Sequence, residues 1–243
     1  MKNIMRLLIS LFLVLNVFLS QNLFGAESDP EWLKKLDYNQ IEIFKKCPSI
    51  QKDNYNNTEM SKSKNFDYYA KDSKTLGWKA KVEGAHFTAG VRQGKYGNAG
   101  SLEGDLDYVL RHFPNHPQAL YVMGNLQAKD HFNPRRRSDR KDYFFWSIDC
   151  YLKRAIELNN SYASTYLVAA ILMHKRKDYK NAEINYKKAI ALDSENVESY
   201  YNLGLLYFDM KLYEKAKENA VKAYEGNYPL LGLKQKLKNS NHW

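Results

Sequence analysis

His112 and His116 stand four residues apart, the spacing at which two imidazoles share a helix face and can hold a metal ion. Pro114 lies between them and breaks the helix that the spacing requires, so the pair reads as structural histidines and no metal site is expected. Glu83, His86, Asp105 and Asp107 have the chemistry for general acid/base work, a carboxylate and imidazole set. Nothing in their spacing forces them into one cleft, and Asp105 and Asp107 equally suit the electropositive first turns of a helix. Arg135, Arg136, Arg137, Arg140 and Lys141 place five cations within seven residues, able to grip a phosphate or carboxylate partner or simply to stay solvated. Phosphate-loop, Cys-x-x-Cys and nucleophile-elbow motifs are absent, so no cofactor and no catalytic residue is assigned.

These residues have to be held by helices. From Ala163 to Glu225 two segments repeat with a period of 34 residues. Tyr166, Ala169, Ala170 and Met173, followed by Ala182, Tyr186 and Ala189, correspond one for one to Tyr200, Leu203, Gly204 and Tyr207, followed by Ala216, Ala220 and Ala223. The first four of each set form one helical stripe, and the alanines let a second helix approach closely. Gly204 costs about 1 kcal/mol relative to alanine inside a helix, which a crossing too close for any Cβ would offset. Leu120, Met123, Gly124 and Gln127 repeat the first-helix spacing, with Ile148, Leu152 and Ala155 in second-helix positions. The surplus length between them is an inserted loop at residues 129–142, the one carrying the five cations.

This pattern resembles the tetratricopeptide repeat (TPR) superfamily. The resemblance implies an all-α fold, a TPR-type helix-turn-helix solenoid with clean repeats at 163–196 and 197–228 and a degenerate unit at 117–162. It also implies a concave groove lined by first helices, at Tyr121, Val122, Asn125, Leu167, Val168, Ile171, Tyr201, Asn202, Leu205 and Phe208. Leu167, Val168 and Ile171 would then be an exposed apolar patch, to be covered by the chain's own N-terminal helix or by a partner. The carboxylate clamp of chaperone-binding TPR domains is not expected, because Tyr121, Val168 and Asn202 stand where it wants Lys, Asn and Arg. His86-Phe87-Thr88, Gly104-Asp105-Leu106-Asp107-Tyr108, Phe113-Pro114-Asn115-His116 and Tyr228-Pro229-Leu230 further resemble a family of exported bacterial TPR proteins, which implies an exported scaffold and adds no reaction.

The flanks complete the organisation. Lys2 and Arg6 precede the apolar run Leu7 to Leu19, and Gly25 and Ala26 follow, so residues 1–26 read as a cleaved signal peptide and the periplasm as the destination, the alternative being an uncleaved inner-membrane anchor. Cleavage removes the two charges of Lys2 and Arg6 from the formal +10, leaving +8, which favours anionic envelope components or acidic proteins. The 19 tyrosines suit helix packing better than base stacking, so nucleic acid is not an expected partner. Residues 27–65 hold a short helix from Asp29, with Trp32, Leu33 and Leu36, and then a polar linker. Glycines at 84, 90, 94, 97, 100 and 104 exclude a long helix from residues 66–104, and Thr88 caps a short one through Gln93. Leu230, Leu233 and Leu237, with Lys234, Lys236 and Lys238, form the capping helix. In an oxidising compartment Cys47 and Cys150 can pair, tying the N-terminal helix to the array; the alternative is that Cys150 is a small buried residue. Two function classes follow: a scaffold binding a protein, peptide or helix in its groove, or an enzyme or small-ligand-binding protein with a site built around residues 83–116.

Overall fold

The computed structural model describes Cys47, Ile50 and residues 65–128 and 146–243. The signal-peptide stretch, the helix expected from Asp29, most of the polar linker and the basic loop with Arg135, Arg136, Arg137, Arg140 and Lys141 lie outside the described residues. Those residues form ten helices and no strand: α1 (Ser73–His86), α2 (Ala89–Arg92), α3 (Leu102–His112), α4 (Pro117–Ala128), α5 (Ile148–Leu158), α6 (Ala163–Lys175), α7 (Tyr179–Leu192), α8 (Val197–Asp209), α9 (Tyr213–Glu225) and α10 (Gly232–Asn239). None of them is long and apolar enough to cross a membrane. The fold is all-α and TPR-type, a succession of antiparallel hairpins.

The period of 34 is visible in the helix starts. Ala163 and Val197 open first helices, and Tyr179 and Tyr213 open second helices, each pair one period apart. Of the fourteen paired repeat positions all but Tyr200 are buried, and the repeat alanines Ala182, Ala189, Ala216, Ala220 and Ala223 are sealed completely. A Cβ at Gly204 would stand 2.5 Å from Leu233 Cδ2 of α10 and 3.2 Å from the Ala216 carbonyl oxygen of α9, so glycine is present because three helices meet there. Helix α10 closes the array by burying Leu233 and Leu237. It starts later than the leucine spacing implies: Leu230 and Leu231 stay in the preceding loop, 56% and 62% exposed.

The N-terminal end corrects one expectation. The glycine-rich stretch contains a 14-residue helix, α1. Gly77 and Gly84 lie on its solvent side, where a Cβ would meet nothing within 4 Å, so they weaken α1 without interrupting it. Asp72 caps it by accepting the Thr75 N–H at 2.9 Å, and Val82 and Thr75 bury against the rest of the N-terminal block. Thr88 does precede the short α2, which ends at the cap residue Gln93, although its hydroxyl makes no capping bond. Ser101 and Ser147 cap α3 and α5 through the N–H groups of Gly104 and Cys150.

Cys47 and Cys150 are joined in a disulfide, their Cα atoms 5.3 Å apart across 103 residues of sequence. Ile50 and Asn65 also bond to α5 and to each other: the Ile50 N–H donates to Glu157 Oε2 (3.1 Å), the Asn65 amide to the Ile50 carbonyl (3.2 Å), and Arg154, fully buried, to Asn65 Oδ1 (3.3 Å).

Two outcomes follow from this packing. Gly204→Ala gains helix propensity of about 1 kcal/mol but loses more to the clash with α9 and α10, so a net loss of about 1–2 kcal/mol is expected in urea denaturation; a stabilised variant would contradict the close crossing. Denatured protein from an oxidising compartment should show no free thiol, and Cys47→Ser should lower stability by about 4 kcal/mol on the chain-entropy account.

Candidate functional site

The acid/base candidates are drawn into three separate links. His86 Nδ1 lies 2.8 Å from Asp105 Oδ1, and its ring stacks on Tyr108 with centroids 3.9 Å apart. The other Asp105 oxygen accepts the N–H groups of Asn98 (2.5 Å) and Ala99 (3.1 Å), so this buried carboxylate ties α1 and the loop before α3 to α3. Glu83 accepts from the Tyr68 hydroxyl (3.1 Å) and faces His116 Nε2 at 3.3 Å, near enough for ionic attraction but outside hydrogen-bond geometry. Asp107 accepts from the Tyr151 hydroxyl of α5 (2.6 Å) and from Arg111 Nε (2.8 Å). His112 closes α3, its Nδ1 2.9 Å from the Tyr108 carbonyl, whereas His116 precedes α4 and accepts the Ala119 N–H through Nδ1 (3.3 Å). The two histidines therefore belong to different helices. No group of three metal-ligating residues occurs among the described residues. Each carboxylate spends its oxygens on fastening one element to another, the work of a structural network.

Asp67, which no spacing in the sequence marks, is the hub of this network. One carboxylate oxygen accepts from the Asn115 side chain (2.8 Å) and the Tyr69 N–H (3.0 Å); the other accepts from the Tyr162 hydroxyl (2.9 Å) and the Asn159 amide (3.3 Å). The Tyr69 ring packs on Tyr162 at a tilt, centroids 4.3 Å apart, and its hydroxyl meets Ser164 Oγ at 2.5 Å. The strap from Phe66 to Tyr69 thus joins the turn before α4 to the turn before α6. Burial pushes the Asp67 carboxyl up, but the donors from Asn115, Tyr69, Tyr162 and Asn159 outweigh it and hold the group below the usual carboxylate range. His116 beside Glu83 holds that carboxyl low as well. Burial lowers His116 itself, despite Glu83. Burial and then Glu83 push Tyr68 up to about 12.

The first helices α4, α6, α8 and α10 stand in succession, each in contact with the next. Of the ten groove positions expected on them, four are buried: Val122, Leu167, Val168 and Tyr201 are only 6–8% exposed. Val122 lies under the turn after α2, where Gly94 adopts φ +64° and a Cβ would come within 3.5 Å of Val122 Cγ1. Val168 packs into the N-terminal core and Leu167 into the C-terminal one, because α6 is flanked on both sides by other helices. Tyr201 packs at a tilt against Tyr228, centroids 4.4 Å apart, at the turn after α9. The expected three-residue apolar patch therefore reduces to Ile171. Asn125, Ile171, Asn202, Leu205 and Phe208 are half-buried, and Tyr121 is 36% exposed. Asn125 and Asn202 each cap a carbonyl one turn back, of Tyr121 (2.8 Å) and Glu198 (2.9 Å). Lys175, which the spacing did not single out, reaches across from α6 to Tyr121 Oη (3.0 Å) and Asn125 Oδ1 (2.7 Å).

The network dictates a pH dependence. The fold disfavours the proton on His116, so as pH falls through about 6.5 the unfolded chain takes up that proton first and stability drops. Asp67 and Glu83 act in the same direction further down, since their stabilisation is complete above the usual carboxylate range and is lost as pH falls through their depressed values. The urea midpoint should decline between about pH 7.5 and about pH 5.5, and His116→Gln should flatten that part of the profile while leaving the acid limb. A midpoint that rises on acidification would contradict the network.

A family model described as TPR repeat matches residues 172–211. The type IV pilus assembly protein PilF of Pseudomonas aeruginosa is 30% identical over 79 residues, which is 32% of this chain and 31% of PilF. The chain thus spans about a third of that relative's length. The crystal structure of MamA aligns with a TM-score of 0.37 at 22% identity, covering 51% of this chain and 66% of MamA. With helical hairpins one period of 34 apart, a sealed seam of alanine and glycine between them and a matched repeat across α6, α7 and α8, the chain carries tetratricopeptide repeats, which serve as scaffolds for protein–protein interaction.

Proposed function

We propose that the chain is an exported TPR scaffold that binds a peptide or helix of another protein along the face made by α4, α6, α8 and α10. The observation that carries this reading is the half-buried row of Ile171, Leu205 and Phe208 beside Asn125 and Asn202, on the helices that line the groove in TPR arrays. Apolar side chains left partly open between amide groups suit a partner that lays down an apolar face and uses its backbone or polar groups beside it. Export rests on the Lys2 and Arg6 start, the apolar run Leu7 to Leu19 and the small residues Gly25 and Ala26, and the net +8 of the remaining chain suits anionic envelope neighbours. The acid/base reading around residues 83–116 is disfavoured because His86, Glu83, Asp105 and Asp107 are engaged in separate structural links.

Capture of a partner from the organism's own envelope extract tests the groove. Ile171→Asp with Leu205→Asp should cut capture at least tenfold and move thermal unfolding by no more than a few degrees, because neither side chain is fully buried. Leu167→Asp is the contrasting variant: its burial predicts a loss of about 2 kcal/mol or more. Undiminished capture by the double variant would refute the groove, as would loss of capture that only tracks unfolding.

A further inference from the structure

Lys175 and Lys236 on the face of the first helices have no carboxylate partner among the described residues, unlike three lysines of the second helices, although Lys188 and Lys215 there are likewise held only over rings. On the second helices Lys187 meets Glu183 at 2.6 Å, Lys222 meets Glu218 at 3.0 Å and Lys153 approaches Glu157 at 3.7 Å. Lys175, exposed at the end of α6, has only neutral neighbours: Tyr121 Oη, Asn125 Oδ1 and the Tyr121 ring, whose centroid lies 4.6 Å from Nζ. At the other side Lys236 of α10 rests over the Phe208 ring at 5.1 Å, again with no acid. Of the acids on α8, Glu198 stands in its first turn, at the far end from Phe208, and Asp209 is engaged by His174 at 2.9 Å. Each ammonium is held by a ring rather than swinging freely, so less rotamer entropy remains to be lost when an anion docks, and its charge is not offset by an internal partner. Ile171 stands one turn before Lys175 on α6, and Leu205 and Phe208 are on α8, the helix that contacts both α6 and α10.

Resting on the groove reading above, we propose that the partner is an acidic amphipathic segment, its apolar side chains against Ile171, Leu205 and Phe208 and its carboxylates on Lys175 and Lys236. Two helix spacings separate α6 from α10, about 20 Å, a span of about six extended or about thirteen helical residues. The arrangement is a pair of single cations at opposite edges of an apolar strip, and it selects for acidic residues flanking an apolar centre. It excludes basic segments by repulsion.

The test uses the full mature chain and a fluorescent peptide of about 16 residues with leucines on one helical face and glutamates on the other. Versions with glutamine or lysine in place of glutamate serve as controls, read by anisotropy. The glutamate peptide should bind about tenfold tighter than the glutamine one at about 50 mM salt, with the advantage shrinking at about 0.5 M. Lys175→Gln with Lys236→Gln should abolish the advantage and leave the glutamine peptide's affinity and the melting temperature unchanged. Equal affinity for glutamate and glutamine peptides overturns the proposal, and so does an advantage that survives the double variant. If both peptides bind equally and Ile171→Asp with Leu205→Asp abolishes them, the groove stands and only its acidic preference falls. If no peptide binds until residues 27–46 are deleted, the groove belongs to the chain itself and both readings fall.

Discussion

A single helical hairpin cannot bury its own apolar face, and the whole structure follows from that constraint. The solution is a seam of minimal side chains. Ala182, Ala189, Gly204, Ala216, Ala220 and Ala223 let helices approach closely enough for Tyr186, Tyr207 and Leu233 to fill the remaining space. Each interface is made only with neighbours, so the two ends remain unsatisfied and need separate devices. At one end α10 inserts Leu233 and Leu237. At the other, α1, α2 and α3 pack on α4, the strap from Asn65 to Tyr69 ties that block to α5, and the disulfide joins Cys47 to α5 as well.

The polar network acts on the geometry of the face made by the first helices. Asp67 connects the turn before α4, through Asn115, with the turn before α6, through Asn159 and Tyr162. These turns set the relative position of two first helices, and hence the spacing of Asn125 from Ile171 and Lys175. Buried carboxylates are costly unless their oxygens are satisfied, and the buried Asp105 and Asp107, like the half-buried Asp67, are each met by at least two donors. Residue types suited to proton transfer are here used as rivets.

The repeat was legible because its signal is periodic. Gly204, Ala216 and Ala220 repeat features that a helix crossing demands, and helix boundaries at Pro117, Gly226 and the 34-residue spacing followed directly. What was not legible depends on contacts between distant segments. The helix from Ser73 to His86 hides behind Gly77 and Gly84, whose cost is visible in the sequence while the compensating burial of Val82 is not. Val122, Leu167 and Val168 occupy groove positions by spacing, but the turn after α2 and the two flanking cores, made of residues remote in sequence, seal them. Asp67 and Lys175 carry no motif at all. Their roles arise from which turns and helices lie within reach, a property of assembly. The two cysteines were recognisable as a candidate pair from export alone, and their proximity was not.

The central claim is that the face carrying Ile171 and Leu205 meets another protein. Site-specific photocrosslinking in living cells tests it most directly, with the reactive group placed in turn at Ile171, at Leu205 and at the outward-facing Val221 of α9. The account predicts a discrete crosslinked species of higher mass from the first two positions and none from Val221. Crosslinking from Val221 alone, or products from Ile171 and Leu205 confined to the same chain, would contradict it.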